Sequence, residues 1–115
     1  MHYTIVNSRS NILADRLLIA DNFYSRLKGL IGNKKINPGE GLLLVSCSSI
    51  HTMFMRFNID VAFLDKEYRI LKVVSDFTPW RVIIPVLGAK YVLELPPGTI
   101  KATGTKTGDC LFMHQ

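Results

Sequence analysis

The sequence predicts an α+β fold that is mostly β, a small antiparallel barrel or sandwich of about seven strands with one packed helix. Three observations lead to this prediction. Short apolar runs recur along the chain, turn-forming residues separate them, and one segment alone has an apolar stripe at helical spacing. The length of 115 residues fits a single domain, residues 1–115.

A hairpin is predicted at the N-terminus. Residues 3–6 (YTIV) have the β-branched and aromatic side chains that strands prefer. Residues 7–11 (NSRSN) are turn formers, and residues 12–20 then return as the second strand.

The helix is predicted directly after this hairpin. Asp21 can cap its N-terminus, and Gly32 with Asn33 forms a stop signal. Between them four large apolar residues fall on one helical face: Phe23, Leu27, Leu30 and Ile31.

The remaining predicted strands follow one another through short turns. Residues 65–67 form a hairpin turn, and residues 76–88 are an irregular excursion because Pro79 and Pro85 interrupt any strand there. The strands are predicted at residues 42–47, 57–65, 68–75, 91–95 and 109–113.

Composition bounds the class of protein. Hydrophobic residues make up 48% of the chain, which supplies one core and leaves enough apolar surface for a partner or a homodimer face. No apolar run reaches the about 20 residues of a membrane-spanning helix, and no signal peptide is recognisable, so a cytoplasmic location is expected. The two cysteines are then expected to be reduced. The net charge of +5 is scattered, with its densest group at residues 26–35, and argues only weakly for nucleic acid.

Cys47 and His51 are the candidate catalytic residues, because a nearby base can activate a thiol for acyl transfer. On a straight strand their Cα atoms would lie about 13 Å apart, so they meet only if Ser48 and Ser49 form a turn or bulge. The alternative interpretation makes Cys47 a small core residue and His51 a hydrogen-bonded core group. We favour this alternative, because spacing alone supplies no contact.

A zinc site is a second alternative. The Cys-x3-His spacing recurs at Cys110 and His114, so two cysteines and two histidines could surround a metal ion. Zinc ligands lie about 2.0–2.3 Å from the metal, which excludes residues i and i+4 of one straight strand. The usual ligand spacings are also absent, so no metal and no other cofactor is predicted.

Five charged residues stand among apolar neighbours: Arg56, Asp60, Asp65, Arg81 and Glu94. A buried charge must be paired or hydrogen-bonded, so one interpretation is a structural network across the sheet. The other is a pocket in which an arginine grips an anionic ligand and a carboxylate orients it. The network is favoured, and the pocket supplies the candidate binding residues Arg56, Asp60, Arg81 and Glu94.

Trp80, the single tryptophan, stands between Pro79 and Arg81 in the irregular excursion. Loops on rigid sheets often carry binding residues, and Trp and Arg are enriched at interface hot spots. The alternative interpretation makes Trp80 a lid on an open end of the barrel. The two interpretations are equally supported.

Several motifs together resemble the bacterial and archaeal family called domain of unknown function 192. In chain order they are RLKGL (26–30), GEGLL (39–43), CxxIHTxFMRFxIDVxFLD (47–65), PWR (79–81), VLELPxG (92–98) and GD (108–109). The resemblance implies a single small β-rich domain, and no reaction, ligand or cofactor. Another branch of that family has a Trp-Met-Lys-Asn-Thr block in place of residues 51–55, so Cys47 and His51 belong to one branch.

The sequence thus predicts a binding or accessory module for a small ligand or a protein partner. Its expected working surface includes residues 51–60 and the segment around Trp80. A Cys47/His51 hydrolase, a zinc-stabilised domain and a weak nucleic-acid binder are the alternatives, and whether the protein is an enzyme stays open.

Overall fold

Residues 3–20, 36–51, 57–79, 81–83 and 85–115 are described by the structure, a computed structural model, with the backbone alone described at 50, 51 and 82. Within these residues the chain forms nine strands and one helix. In chain order they are β1 (Tyr3–Val6), β2 (Ile12–Ala20), β3 (Glu40–Val45), β4 (Ile50–His51), β5 (Ile59–Leu64), β6 (Ile70–Phe77), β7 (Val82–Ile83), β8 (Tyr91–Leu95), α1 (Thr99–Thr103) and β9 (Phe112–His114).

One curled sheet contains seven of the described strands, in the order β6-β5-β8-β3-β2-β1-β9. Neighbouring strands are antiparallel except β2 and β3, which run parallel. The chain between these two strands includes residues 21–35, so the helix predicted after Asp21 lies outside the described residues. The predicted class is confirmed, since the sheet is mostly antiparallel and carries a short helix.

The curl brings the two edge strands, β6 and β9, together at one end. Arg69 and Cys110 form an isolated antiparallel bridge there. The N–H of Ile70 donates to the carbonyl of Asp109 at 2.8 Å, and the N–H of Leu111 donates to the carbonyl of Tyr68 at 2.9 Å. The sheet is therefore a half-barrel that is joined at this end.

Apolar side chains fill both sides of the sheet, because successive side chains of a strand point to opposite faces. We call these sides the Asp60 face and the Glu94 face. The Asp60 face buries Ile5, Leu13, Ala14, Leu17, Leu43, Ala62, Leu64, Ile70, Leu93, Leu95, Ile100 and Leu111. The Glu94 face buries Ala20, Leu44, Ile59, Val61, Phe63, Phe77, Ala89 and Val92.

The helix α1 was not predicted from the sequence. It is five residues long and follows Gly98, whose φ of 92° is the left-handed conformation that glycine tolerates. Gly104 ends it with a φ of 66°, and its N–H bonds the carbonyls of Ile100 and Lys101. Ile100 packs into the Asp60 face, so this short helix is held by tertiary contact.

Two short strands were also missed. Ile50 pairs with Ile83 and His51 with Val82, which makes β4 and β7 a separate antiparallel ribbon. The prediction of an irregular excursion at residues 76–88 is therefore wrong at β7 and at Asp76 and Phe77, which end β6. Pairs of two residues leave no periodic pattern from which they could be recognised.

Candidate functional site

Glu94 is the fourth of the five residues of β8, and its side chain is buried on the Glu94 face. Its cross-strand neighbours are Leu42 of β3 and Val61 of β5, both apolar. The residue is 1% exposed, and its Oε1 atom has no hydrogen-bond partner among the described residues. Burial raises the pKa of this carboxyl to about 8, so the group carries its proton at neutral pH.

The surroundings of the Glu94 face come from segments that are distant in the chain. Partly buried side chains of Ile36, Cys47, Phe57, Ile83 and Val86 pack against its buried cluster. Ile83 belongs to β7, so the β4–β7 ribbon is tied to this face. The walls around the carboxyl are thus largely apolar in the described part of the chain.

Cys47 lies at the end of the Glu94 face that follows β3. Ser46 there has a φ of 57°, so the chain turns and residues 47–51 are not one straight strand. The thiol of Cys47 donates to the carbonyl of Ser49 at 3.0 Å, and its own N–H donates to the carbonyl of Lys90 at 3.0 Å. The thiol is thus hydrogen-bonded to a main-chain carbonyl. The side chain of His51, its predicted partner, lies outside the described part of the structure.

Arg81 lies at the border of the same face. Its guanidinium carbon is 5.9 Å from the centroid of the Phe77 ring, within the range of a cation–π contact. Phe77 is buried in the apolar cluster of the Glu94 face, whereas Arg81 is exposed. The structure therefore brings Cys47, Arg81 and Glu94 to one side of the sheet, while Arg56 and Trp80 lie outside the described residues.

Asp60 is buried on the opposite side of the sheet. The residue is 0% exposed, and it pairs with Leu95, which belongs to the core of the Asp60 face. Its Oδ1 accepts a hydrogen bond from the N–H of Asp76 at 2.8 Å, and its Oδ2 accepts one from the N–H of Ile100 at 2.8 Å. The carboxylate thus supports the first turn of α1 and an irregularity of β6, where Asp76 has a φ of 55°.

Asp60 and Glu94 do not form one site, although they lie on adjacent strands. Val61 is the residue opposite Glu94, and Asp60, one position earlier, points to the other face. The sequence presents both as charged residues among apolar ones. The register of β5 against β8 separates them into a carboxylate whose two oxygens are both bonded and a carboxyl whose Oε1 has no partner among the described residues.

The described residues contain no group of three or more His, Cys, Asp and Glu side chains that could hold a metal ion. Cys47 and Cys110 are both free thiols. Cys110 lies at the bridge to Arg69, and His114 is exposed on β9, whereas Cys47 packs on the Glu94 face.

A polar cluster at the β1–β2 turn was not recognised from the sequence. The Asn7 amide donates to the carbonyl of Thr103 at 3.0 Å and to the hydroxyl of Thr105 at 3.3 Å. Arg9 forms a salt bridge of 2.9 Å with Asp109, which is buried. The residues NSRSN indicate a turn, but their partners are about a hundred positions away in the chain. The cluster fastens the hairpin to the loop after α1.

We expect Asp109→Asn to lower the free energy of unfolding by about 1 kcal/mol at neutral pH, since Arg9 is half-exposed and solvent screens the pair. The hydrogen bond from Arg9, followed by that from the Lys106 N–H, lowers the pKa of Asp109 below its usual 3.8. The contribution of Asp109 to the free energy of unfolding is therefore present above pH about 3.8, and it is lost as the pH falls through the lower pKa of the folded state. Urea unfolding at pH 7 and pH 2.5 measures the difference.

The matched control for this prediction is Asp15→Asn. Asp15 lies 3.7 Å from Arg16 in a pair whose members are 59% and 51% exposed. A pair this exposed contributes little, so the control should change stability by less than about 0.5 kcal/mol. Equal effects of the two substitutions would contradict a special role for Asp109.

The half-barrel with its short helix and its buried carboxyl defines a small β-rich domain of the α+β class. In the part of the chain that the structure describes, no helix is long and apolar enough to cross a membrane. Residues 4–113 match the family DUF192, described as Uncharacterized ACR, and the chain belongs to this family.

Relatives in sequence agree with this assignment, and solved structures share the fold. A UPF0127 protein of Pyrococcus abyssi is 36% identical over 115 residues, which cover 95% of both chains. A UPF0127 protein of Pyrococcus furiosus is 40% identical over 101 residues, covering 80% of this chain and 81% of the relative. A crystal structure from Novosphingobium aromaticivorans, of a protein of unknown function, superposes with a TM-score of 0.79 at 19% identity, over 96% of this chain and 82% of that one.

A second crystal structure has the same fold. It is a protein from Sinorhizobium meliloti 1021, provisionally named a transcription regulator, with a TM-score of 0.79 at 22% identity. The superposition covers 96% of this chain and 91% of that one. At these identities the likeness concerns the fold alone.

Proposed function

We propose that the protein is a binding module for a small ligand and that the Glu94 face carries its binding site. The observation that supports this proposal is the unpartnered Oε1 of a carboxyl that is 1% exposed. Leaving a buried polar atom without a hydrogen bond costs about 1–3 kcal/mol, so proteins pair almost all of them. A ligand group that bonded Glu94 would supply the missing partner.

The surroundings of Glu94 suit a small molecule better than a protein surface. Small-molecule sites are mostly apolar and contain a few polar groups that orient the ligand. Leu42, Val61 and the buried cluster supply such walls, and Glu94 supplies the polar group. A protein partner contacts exposed side chains, whereas Glu94 lies almost wholly beneath the surface.

The other candidate residues take supporting roles in this proposal. Arg81, stacked over Phe77 at 5.9 Å, is placed to contact a ligand at the border of the face. Asp60 acts from the opposite side by holding the backbone of α1 and β6. We propose Arg56, Trp80 and His51 as further contacts on sequence grounds, since they belong to the predicted working surface.

The experiment is an NMR titration of ¹⁵N-labelled protein with five compounds of one shape: toluene, benzamide, benzyl alcohol, benzylamine and benzoate. We expect at least one to bind with a dissociation constant of about 1 mM or tighter. The amide resonances that shift should be those of β3, β5 and β8 next to Glu94. Glu94→Leu should abolish the shifts, because it removes the polar group and fills the face.

The matched control is Glu67→Leu, at an exposed turn residue of the same type. It should leave every titration unchanged. Binding that maps to residues away from the Glu94 face, or an absence of binding by all five compounds, would contradict the proposed function.

A further inference from the structure

We infer that the ligand is uncharged and presents a hydrogen-bond acceptor, such as a carbonyl oxygen, to the buried carboxyl of Glu94, whose Oε1 lies without a described partner between Leu42 and Val61. This inference rests on the proposed function and specifies the chemical class of the ligand.

A cationic ligand is poorly matched to this position. An ammonium group carries three N–H donors, and an ion pair in an apolar setting is favourable only when the remaining donors also find partners. The residues opposite Glu94 are Leu42 and Val61, which offer no side-chain acceptor. Glu94 would therefore bond part of the ammonium group, and the side chains of Leu42 and Val61 could not accept hydrogen bonds from the remaining N–H groups.

An anionic ligand meets a similar difficulty. Moving a carboxylate out of water costs far more than moving an amide, unless several donors surround it. Arg81 stacks on the Phe77 ring at the border of this face and is exposed, and Arg16 and Lys72, on the same side of the described strands, are exposed as well. Glu94 itself would repel an anion once it lost its proton.

A neutral acceptor fits the group as the structure presents it. A protonated carboxyl is a strong hydrogen-bond donor, and an acid kept neutral by an apolar site is a known way of binding a carbonyl-type oxygen. Burial holds the pKa of Glu94 at about 8, which is consistent with a protonated donor at neutral pH. An amide or ketone on an apolar body would satisfy both Glu94 and the walls.

The pH dependence of binding follows from this protonation. Affinity should be constant from pH 6 to pH 7 and should fall about tenfold per unit well above pH 8, as Glu94 ionises. Other ionisable side chains on this face of the described strands are Arg16 of β2, Glu40 of β3, Lys72 of β6 and His114 of the edge strand β9, with Arg81 and Cys47 at its border. Because Cys47 packs on this face, Cys47→Ala is measured in parallel, and the variant should keep the fall in affinity above pH 8 whatever its effect on the affinity itself.

The test compares the dissociation constants of benzamide, benzylamine, benzoate and toluene between pH 6 and pH 9.5, for the native protein and for Glu94→Gln. We expect benzamide to bind at least tenfold more tightly than the two charged compounds. Glu94→Gln should keep benzamide binding, because its amide can still donate, and should lose the fall in affinity above pH 8.

Each result has a defined meaning. Preferred binding of benzylamine with release of a proton, or a benzamide affinity that ignores pH in the native protein, would overturn this inference and leave the proposed function standing. Tightest binding by toluene would do the same, since Glu94 would then contribute no hydrogen bond. Binding by none of the four compounds would remove the proposed function together with the inference.

Discussion

Asp60→Ala is expected to lower the free energy of unfolding by about 4 kcal/mol, because it leaves two backbone N–H groups without their acceptor. Both bonds measure 2.8 Å, and the bond to Ile100 lies in the protein interior. Removing the carboxylate costs about 1–3 kcal/mol for each donor left unpaired, and the vacated space adds to the loss. Urea unfolding at pH 7 measures it, and hydrogen exchange at Ile100 tests whether the loss is centred on α1.

Asp65→Ala is the matched control, because Asp65 makes the same kind of bonds in an exposed place. Its Oδ1 accepts from the N–H groups of Glu67 and Arg69 at 2.8 and 2.9 Å. Water can replace the carboxylate there, so a loss of about 1 kcal/mol is expected. If the two variants were equally stable, burial would not be what makes Asp60 important.

Glu94→Gln is expected to change how stability depends on pH by several kcal/mol. Below pH about 4.5 the native Glu94 is protonated in both the folded and the unfolded chain. Between 4.5 and about 8 the unfolded chain has released this proton while the folded chain keeps it. The contribution of Glu94 to stability therefore falls by about 1.4 kcal/mol per pH unit in this window, and the fall ends above about 8.

The measurement is urea unfolding of the native protein and Glu94→Gln at intervals from pH 4.5 to pH 8.5. Glutamine does not titrate, so the free energy of unfolding of the variant should rise relative to that of the native protein as the pH rises, by roughly 4 kcal/mol in all. Glu67→Gln, at an exposed turn, is the control and should track the native protein. A difference between Glu94→Gln and the native protein that stayed constant with pH would show that Glu94 is not held neutral by burial.

Much of the fold could be predicted because strands have local sequence patterns, namely apolar runs bounded by turn residues. The strands at residues 3–6, 12–20 and 91–95 have the predicted bounds, and the turn after Leu64 lies where Asp65 indicated it. The remaining strands of the main sheet are displaced by one to three residues. These elements have alternating or continuous apolar runs bounded by turn residues, and that information is carried by neighbouring positions.

The candidate site was predictable only as a set of residues. Asp60 and Glu94 were both recognised as charges among apolar neighbours, and both are buried. Which of them is bonded could not be read from the chain, because the Asp60 oxygens bind N–H groups 16 and 40 positions away. Cys47 was likewise recognised, whereas its hydrogen bond to Ser49 depends on a turn at Ser46 that local composition only allowed.

The sequence by itself determined the mostly β class, most of the strands, and the presence of charged residues among apolar neighbours in β5 and β8. Only the tertiary structure decided the parallel pairing of β2 with β3, the existence of α1, and the assignment of Asp60 and Glu94 to opposite faces. The physical reason is register. Whether two residues of different strands lie on the same face of a sheet depends on how the strands are aligned, and that alignment is set by pairing between distant segments. A carboxyl with both oxygens bonded and a carboxyl with an unbonded oxygen therefore look alike until the strands are paired.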